Sequence, residues 1–102
     1  MEIIRINNIS GEIPSKYYLY QNHPNPFNSV SKIKFEIAKL SDVNITVYDI
    51  LGKEVSSLVN EKLKPGTYET FFDGGGLSSG IYFCRLIVNS EQKDFKKMML
   101  IK

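Results

Sequence analysis

Few residues of this 102-residue chain have side chains suited to nucleophilic or acid–base catalysis. A catalytic histidine needs a nucleophile or a carboxylate held against it, and the single histidine, His23, lies in a proline-rich segment without either. We predict that it belongs to a surface loop. The single cysteine, Cys84, lies within an apolar run, where cysteine acts as a small buried side chain rather than as an exposed, activated nucleophile.

The remaining polar candidates also favour structural roles. Ser78-Ser79-Gly80 lacks the strand and helix that flank a nucleophile turn. Asp73 precedes three glycines but lacks the alternating acidic spacing of a calcium loop, whereas Asp49 is expected to fix its own turn by bonding to the backbone. The sequence therefore predicts a domain that is not an enzyme and that takes no metal, cofactor or small-molecule substrate.

Composition excludes other classes. Thirteen basic residues face 11 acidic ones, giving a net charge of +2, which predicts no strong attraction to nucleic acid or to an acidic membrane. No stretch is apolar for long enough to form a transmembrane helix, and residues 1–8 lack the apolar core of a secretory signal peptide. The length is that of one domain.

The elements that position these residues are predicted to be strands. Apolar and polar residues alternate in residues 32–37 and 43–47, as in strands with one buried face. Residues 53–61 also fit a short helix, but many short strands leave a lone helix out of place, so we favour a strand. Residues 81–88 are apolar on both faces, apart from Arg85, and are predicted to form a central strand. Further strands are expected at 17–21, 67–73 and 94–101, about seven strands in all.

Turn residues separate these strands. Leu51-Gly52 predicts a hairpin turn, Pro65-Gly66 the centre of a type II turn, and Gly80 the end of a loop in which Leu77 covers the core. No pair of strands is separated by a crossover helix, so the sheets should be antiparallel.

The predicted fold is thus an all-β, immunoglobulin-like antiparallel β-sandwich. We assign the domain to residues 14–102. Residues 1–13 are predicted to be a linker or a loosely attached edge segment. The C-terminal run from residue 93 carries four lysines and one aspartate, which predicts either a strand edge protected by lysines or a docking surface.

Several segments together resemble one protein family. They are LYQNHPNPFN (19–28), VYDILGKEV (47–55), PGTY (65–68), GIYF (80–83) and KMMLIK (97–102). Their order and spacing resemble the type A C-terminal sorting domain of type IX secretion cargo from the Bacteroidetes and related bacteria. The series is also similar to the immunoglobulin-like domain of flagellar hook-capping proteins. One departure is His23, where the family commonly has an aromatic residue.

The resemblance implies a function. Such a domain is covalently part of a larger cargo protein, folds in the periplasm and is recognised there by outer-membrane translocon components. After transport a sortase-like peptidase usually removes it, and the cargo reaches the cell surface or the medium. Cleavage would then fall within residues 1–13.

We hypothesise that two distinctive segments form the recognition surface, because neither looks necessary for generic sandwich packing. A strand at the end of the chain could be recognised by edge pairing or by its charge. The residues proposed are Asn22, Pro24, Asn25, Pro26, Phe27 and Asn28, together with Lys96, Lys97, Met98, Met99, Leu100, Ile101 and Lys102. On this hypothesis, deleting residues 97–102 should block export and leave the fold largely intact.

An alternative function is an accessory immunoglobulin-like module that binds carbohydrate or protein beside an extracellular enzyme. Sugar-binding modules usually display exposed aromatic rings. Tyr17, Tyr18 and Tyr20 could supply such rings.

Overall fold

Two four-stranded antiparallel sheets pack face to face in the computed structural model, which describes residues 7–10 and 12–102. The strands are β1 (Asn7–Ser10), β2 (Tyr18–Leu19), β3 (Val30–Ile37), β4 (Ser41–Tyr48), β5 (Glu54–Leu63), β6 (Gly66–Asp73), β7 (Gly80–Val88) and β8 (Glu91–Leu100). The first sheet has the order β1-β6-β3-β2 and the second β5-β4-β7-β8. The described residues contain no helix, so the all-β, immunoglobulin-like sandwich is confirmed.

Alternation along the strands builds the core. Ile33, Phe35 and Ile37 of β3 point inward, and residues 43, 45 and 47 of β4 face them from the second sheet. The Phe35 ring stacks on Tyr68 of β6 with 5.5 Å between the ring centroids. Leu77 packs against the edge of this core, as predicted. Burying this set of side chains supplies the main favourable free energy of folding.

The ambiguous segments follow the strand prediction. β5 is a strand of the second sheet, and β7 lies between β4 and β8 as the predicted central strand. β5 forms the outer edge of its sheet, and its pairing with β4 is shifted at two points. Such irregularities hinder pairing of an edge strand with another chain.

The predicted turns have different outcomes. Gly52 lies in the β4–β5 turn with φ of +84°, and the Asp49 carboxylate accepts hydrogen bonds from the backbone N–H groups of Leu51 and Lys53, both at 2.9 Å. The type II turn centred on Pro65-Gly66 is wrong: Gly66 is the first residue of β6 and does not have the positive φ that such a turn requires. Gly80 begins β7 after Ser78 and Ser79.

An additional strand lies in the segment predicted as a linker or loose edge. β1 pairs with β6, with Asn7 opposite Glu69 and Asn8 opposite Tyr68. Residues 1–6 and 11 lie outside the described residues. The boundary at residue 13 and the linker role therefore remain predictions.

Candidate functional site

The two segments proposed for recognition lie side by side. The Phe27 N–H donates to the Met99 carbonyl, and the Ile101 N–H donates to the Phe27 carbonyl, both at 2.9 Å. The Asn25 side-chain oxygen accepts from the Met99 N–H at 2.9 Å. Phe27 thus forms a parallel bridge with Leu100, along the side of β8 that faces away from β7. The two segments therefore form one continuous structure although they are distant in the chain: Asn25 and Met99, which share a hydrogen bond, are separated by 74 positions.

Buried polar groups hold the loop in this position. The Asn22 side-chain amide donates to the Pro24 carbonyl at 3.0 Å and to the Ser31 hydroxyl at 2.8 Å, and the same hydroxyl donates to Pro24 at 2.8 Å. The backbone of His23 forms a bridge with Lys32 of β3. The His23–Pro24 and Asn25–Pro26 peptide bonds are both cis. Because Asn22 and Ser31 are buried, losing either partner would leave an unpaired polar group in the interior.

Several proposed recognition residues belong to the core. Phe27, Met98 and Leu100 are almost fully buried, and the Phe27 ring lies 5.7 Å from that of Phe72. The assumption that neither segment is needed for sandwich packing is therefore wrong. These side chains act by supporting the site from inside, and a partner cannot touch them without opening the fold.

The proposed recognition residues whose side chains are exposed form the candidate recognition surface. It comprises Pro24, Asn25, Pro26, Asn28, Lys97, Met99, Ile101 and Lys102. Lys96 is half-buried and pairs with Asp94 at 3.3 Å. The Lys102 ammonium donates to the Gly75 carbonyl, and its backbone N–H donates to the Ser79 hydroxyl at 2.9 Å, which fixes the end of β8 against the β6–β7 loop.

The outer edge of β8 is not open along its last residues. The hydrogen bonds from the loop use the N–H groups of Met99 and Ile101 and the carbonyl of Met99, and the Gln21 amide donates to the Lys97 carbonyl at 2.7 Å. The prediction that lysines protect a solvated edge is therefore wrong for residues 97–101. Recognition of this stretch by edge pairing would require the loop to leave, so the side chains are what a partner can contact.

The tyrosines proposed for sugar binding are faced by lysines of this chain. Lysine ammonium groups lie 4.6–5.5 Å from the ring centroids of Tyr17, Tyr18 and Tyr20. The Tyr20 hydroxyl donates to Glu36, and this bond to a carboxylate raises the pKa of Tyr20 above its ordinary value. Because the ammonium groups cover ring surface that a sugar would need for stacking, this row of residues does not favour the carbohydrate-binding alternative.

The catalytic candidates are placed apart. Cys84 is buried in β7, and burial raises the pKa of its thiol to about 12, so the nucleophilic thiolate is not formed at neutral pH. His23 is exposed, and Asp73 accepts a hydrogen bond from the Gly75 N–H at 2.9 Å within its own turn. Among residues 7–10 and 12–102, no cluster of three or more His, Cys, Asp and Glu side chains is arranged to hold a metal ion.

Sequence reasoning missed part of the exposed surface beside β8. Ile81 and Phe83 of β7 and Phe95 of β8 lie on the outer face of the second sheet. The signal was present, because residues 81–88, apart from Arg85, are apolar on both faces. A central strand does not by itself account for that pattern, because in a two-layer sandwich the other sheet covers only one face of such a strand.

The described residues form an immunoglobulin-like β-sandwich in which the two distinctive segments build one surface. Residues 21–102 match the family described as the secretion system C-terminal sorting domain, and the chain belongs to that family. It is a C-terminal sorting signal for type IX secretion, which implies export to the cell surface or the extracellular space. A search of curated protein sequences finds no significant match. Within the described part of the chain, no helix has the length and hydropathy needed to cross a membrane.

Proposed function

We propose that the folded domain is bound in the periplasm by outer-membrane components of the type IX translocon, through the exposed side chains of the candidate recognition surface. The observation that carries this proposal is the hydrogen-bonded pairing of the Asn25–Phe27 segment with Met99 and Ile101. This pairing gives the surface a fixed shape, and a fixed surface binds without the free-energy cost of ordering a loop or a tail. The cargo then crosses the outer membrane with this domain as its sorting signal.

We also propose that a sortase-like peptidase removes the domain after transport by cutting within residues 1–13. Peptidases bind their substrates as extended, unpaired backbone. The pairing of β1 with β6 supports a cut outside residues 7–10, or one that follows release of this strand. Mass spectrometry of the N-terminus of the released domain would locate the cut. A cut beyond residue 13 would contradict this part of the proposal.

An export assay tests the main proposal. Residues 1–102 are fused to the C-terminus of a periplasm-targeted fluorescent reporter in a host with type IX secretion and in an otherwise identical strain that lacks the translocon. The expected result is reporter on the surface or in the medium of the first strain only. A stable, folded reporter that remains in the periplasm of both strains would overturn the proposal.

A matched pair of variants separates recognition from folding. Met99 and Ile101 are 38% and 51% exposed, so Met99→Ser and Ile101→Ser together should reduce export while the midpoint of thermal unfolding changes little. The control is Phe71→Ser, which removes a side chain of similar exposure (40%) from the outer face of the first sheet. Equal export of both variants would show that this end of β8 is not recognised.

A further inference from the structure

The outer face of β7 and β8 carries an apolar surface that the sandwich itself does not cover. Along β8 the inward residues Met98 and Leu100 are buried, whereas Phe95 and Met99 of the same strand point outward, with Phe95 52% exposed. The register places Ile81 beside Met99 and Phe83 beside Lys97. Neighbouring side chains on one face of a sheet contact each other, so these residues form a continuous patch.

A groove extends this patch towards the β4–β5 turn. It has a volume of about 340 Å³, and Phe83, Phe95 and Tyr48 line it beside Ile50 of the turn. Ile50 and Leu51 are 70% and 89% exposed, so the turn adds further apolar surface at the same end of the sheet. We call Ile81, Phe83, Phe95, Met99 and the groove beside Phe83 and Phe95 the outer β7–β8 face. Large apolar patches on soluble domains mark sites of association.

Two cations on this face form no ion pair with a carboxylate of the described residues. The Arg85 guanidinium lies 5.1 Å from the Tyr48 ring centroid and donates to the Gln92 side-chain oxygen at 2.7 Å, both neutral groups. Among the described residues, no carboxylate pairs with Lys97. By contrast, Lys93 and Lys96 of the same strand pair with acidic residues at 3.2 and 3.3 Å. The groove also contains the Asp49 carboxylate, which accepts hydrogen bonds from the backbone N–H groups of Leu51 and Lys53 in its own turn. The face therefore combines apolar side chains with two cations that form no ion pair within the described residues.

We propose that the outer β7–β8 face docks a protein surface in which carboxylates stand among apolar side chains. This inference rests on the proposed function and deepens it, because it gives the chemistry of the translocon surface that binds the domain. The apolar partner side chains fill the groove beside Phe83 and Phe95, and the carboxylates approach Lys97 and Arg85. Complementary charge of this kind sets the orientation of binding and speeds association.

Two other occupants fit the face less well. A second copy related by a two-fold axis would bring the same patch with the same unpaired cations against this one, and like charges oppose such contact. An anionic membrane is attracted by clusters of about four or more basic residues, whereas this face offers Lys97 and Arg85.

The test compares variants of the full chain in the export assay. Phe95→Ala removes an apolar contact and Lys97→Glu reverses a charge, and each should lower the rate of export about tenfold, as loss of a central contact does at protein interfaces. Phe71→Ala and Lys64→Glu are the matched controls, since both residues are exposed on other parts of the domain, and they should export at the wild-type rate. Unchanged thermal unfolding of each purified variant shows that the fold is intact.

The outcomes separate the inference from the proposed function. No export of the unmodified fusion overturns the proposed function. Normal export of the unmodified fusion and of both face variants overturns the inference and leaves the function standing. Dimers detected by light scattering and disrupted by Lys97→Glu would overturn the inference in favour of a second copy. Sedimentation with phosphatidylglycerol vesicles that Lys97→Glu abolishes would overturn it in favour of a membrane.

Discussion

Phe27 contacts both sheets of the sandwich. Its backbone N–H bonds to Met99 of β8, its carbonyl bonds to Ile101 just after that strand, and its ring is buried against Phe72 of β6 in the first sheet. The residue therefore links the loop, the end of β8 and the core. A side chain in this position determines where the loop lies even though no partner can touch it.

Replacing Phe27 by Ala should destabilise the domain by about 3–5 kcal/mol, because it leaves a cavity in a closely packed interior. Urea unfolding followed by circular dichroism measures the change. Phe71→Ala is the control, because a side chain that is 40% exposed loses less burial and leaves no enclosed cavity. Similar losses in the two variants would contradict the central packing role of Phe27.

Cys84 gives the fold a pH dependence. Burial raises the pKa of its thiol from the ordinary 9.0 to about 12, so from pH 9 to pH 12 the unfolded chain loses this proton and the folded chain keeps it. The contribution of the protonated, buried thiol to the free energy of unfolding is therefore fully present below pH 9. Between pH 9 and pH 12 the free energy of unfolding falls by at most about 1.4 kcal/mol per pH unit. The difference in free energy of unfolding between the wild type and Cys84→Ala should therefore become smaller as pH rises. A constant difference would contradict this.

At the scale of the element, the last strand is both part of the core and part of the candidate recognition surface. Its even-numbered residues Met98 and Leu100 are inside, and its odd-numbered residues Lys97 and Met99 are outside. The two roles alternate along one strand, because successive side chains of a strand point to opposite faces. A deletion cannot remove one role and spare the other.

Deleting residues 97–102 should therefore unfold the domain, contrary to the expectation from sequence. Loss of two buried side chains costs about 2–5 kcal/mol each, which is comparable with the whole stability of a small domain. Circular dichroism and thermal unfolding of the truncated protein test this. A cooperative transition near that of the full chain would refute it. Export experiments on terminal deletions report on folding as well as on recognition.

The sequence was sufficient for elements with a regular pattern. Alternation located β3 and β4, whereas β5 was separated from a helix because a lone helix would be out of place among many short strands. It did not reveal that the Asn25–Phe27 segment pairs with β8, because irregular backbone has no periodicity and the partner is distant in the chain. Gly66 was misassigned because Pro-Gly favours a turn locally, whereas pairing with β3 extends β6 to include it.

At the scale of the molecule, each sheet has edges that need protection. β1 covers one side of β6, the loop covers the end of β8, and β5 is irregular. An uncovered edge offers unpaired backbone groups to another chain. Residues 7–10 pair with β6 in this structure, and the domain boundary at residue 14 stays a prediction.

Removing residues 1–13 should leave a folded domain that associates through β6. The pairing of β6 with β3 is retained over its whole length, so the sandwich persists, but the edge facing β1 becomes available. Light scattering of the truncated and full chains over a range of concentrations measures the effect. A truncated domain that stays monomeric at every concentration would contradict this prediction.

The pairing of Asn25 with Met99 also has a consequence for biosynthesis. These residues are separated by 74 positions, so the loop leaves the ribosome long before the strand that it must meet. Contacts so distant in sequence form slowly, because a long stretch of chain must be closed first. The candidate recognition surface is therefore expected to form late in folding, and a chain whose translation stops before Met99 lacks this pairing.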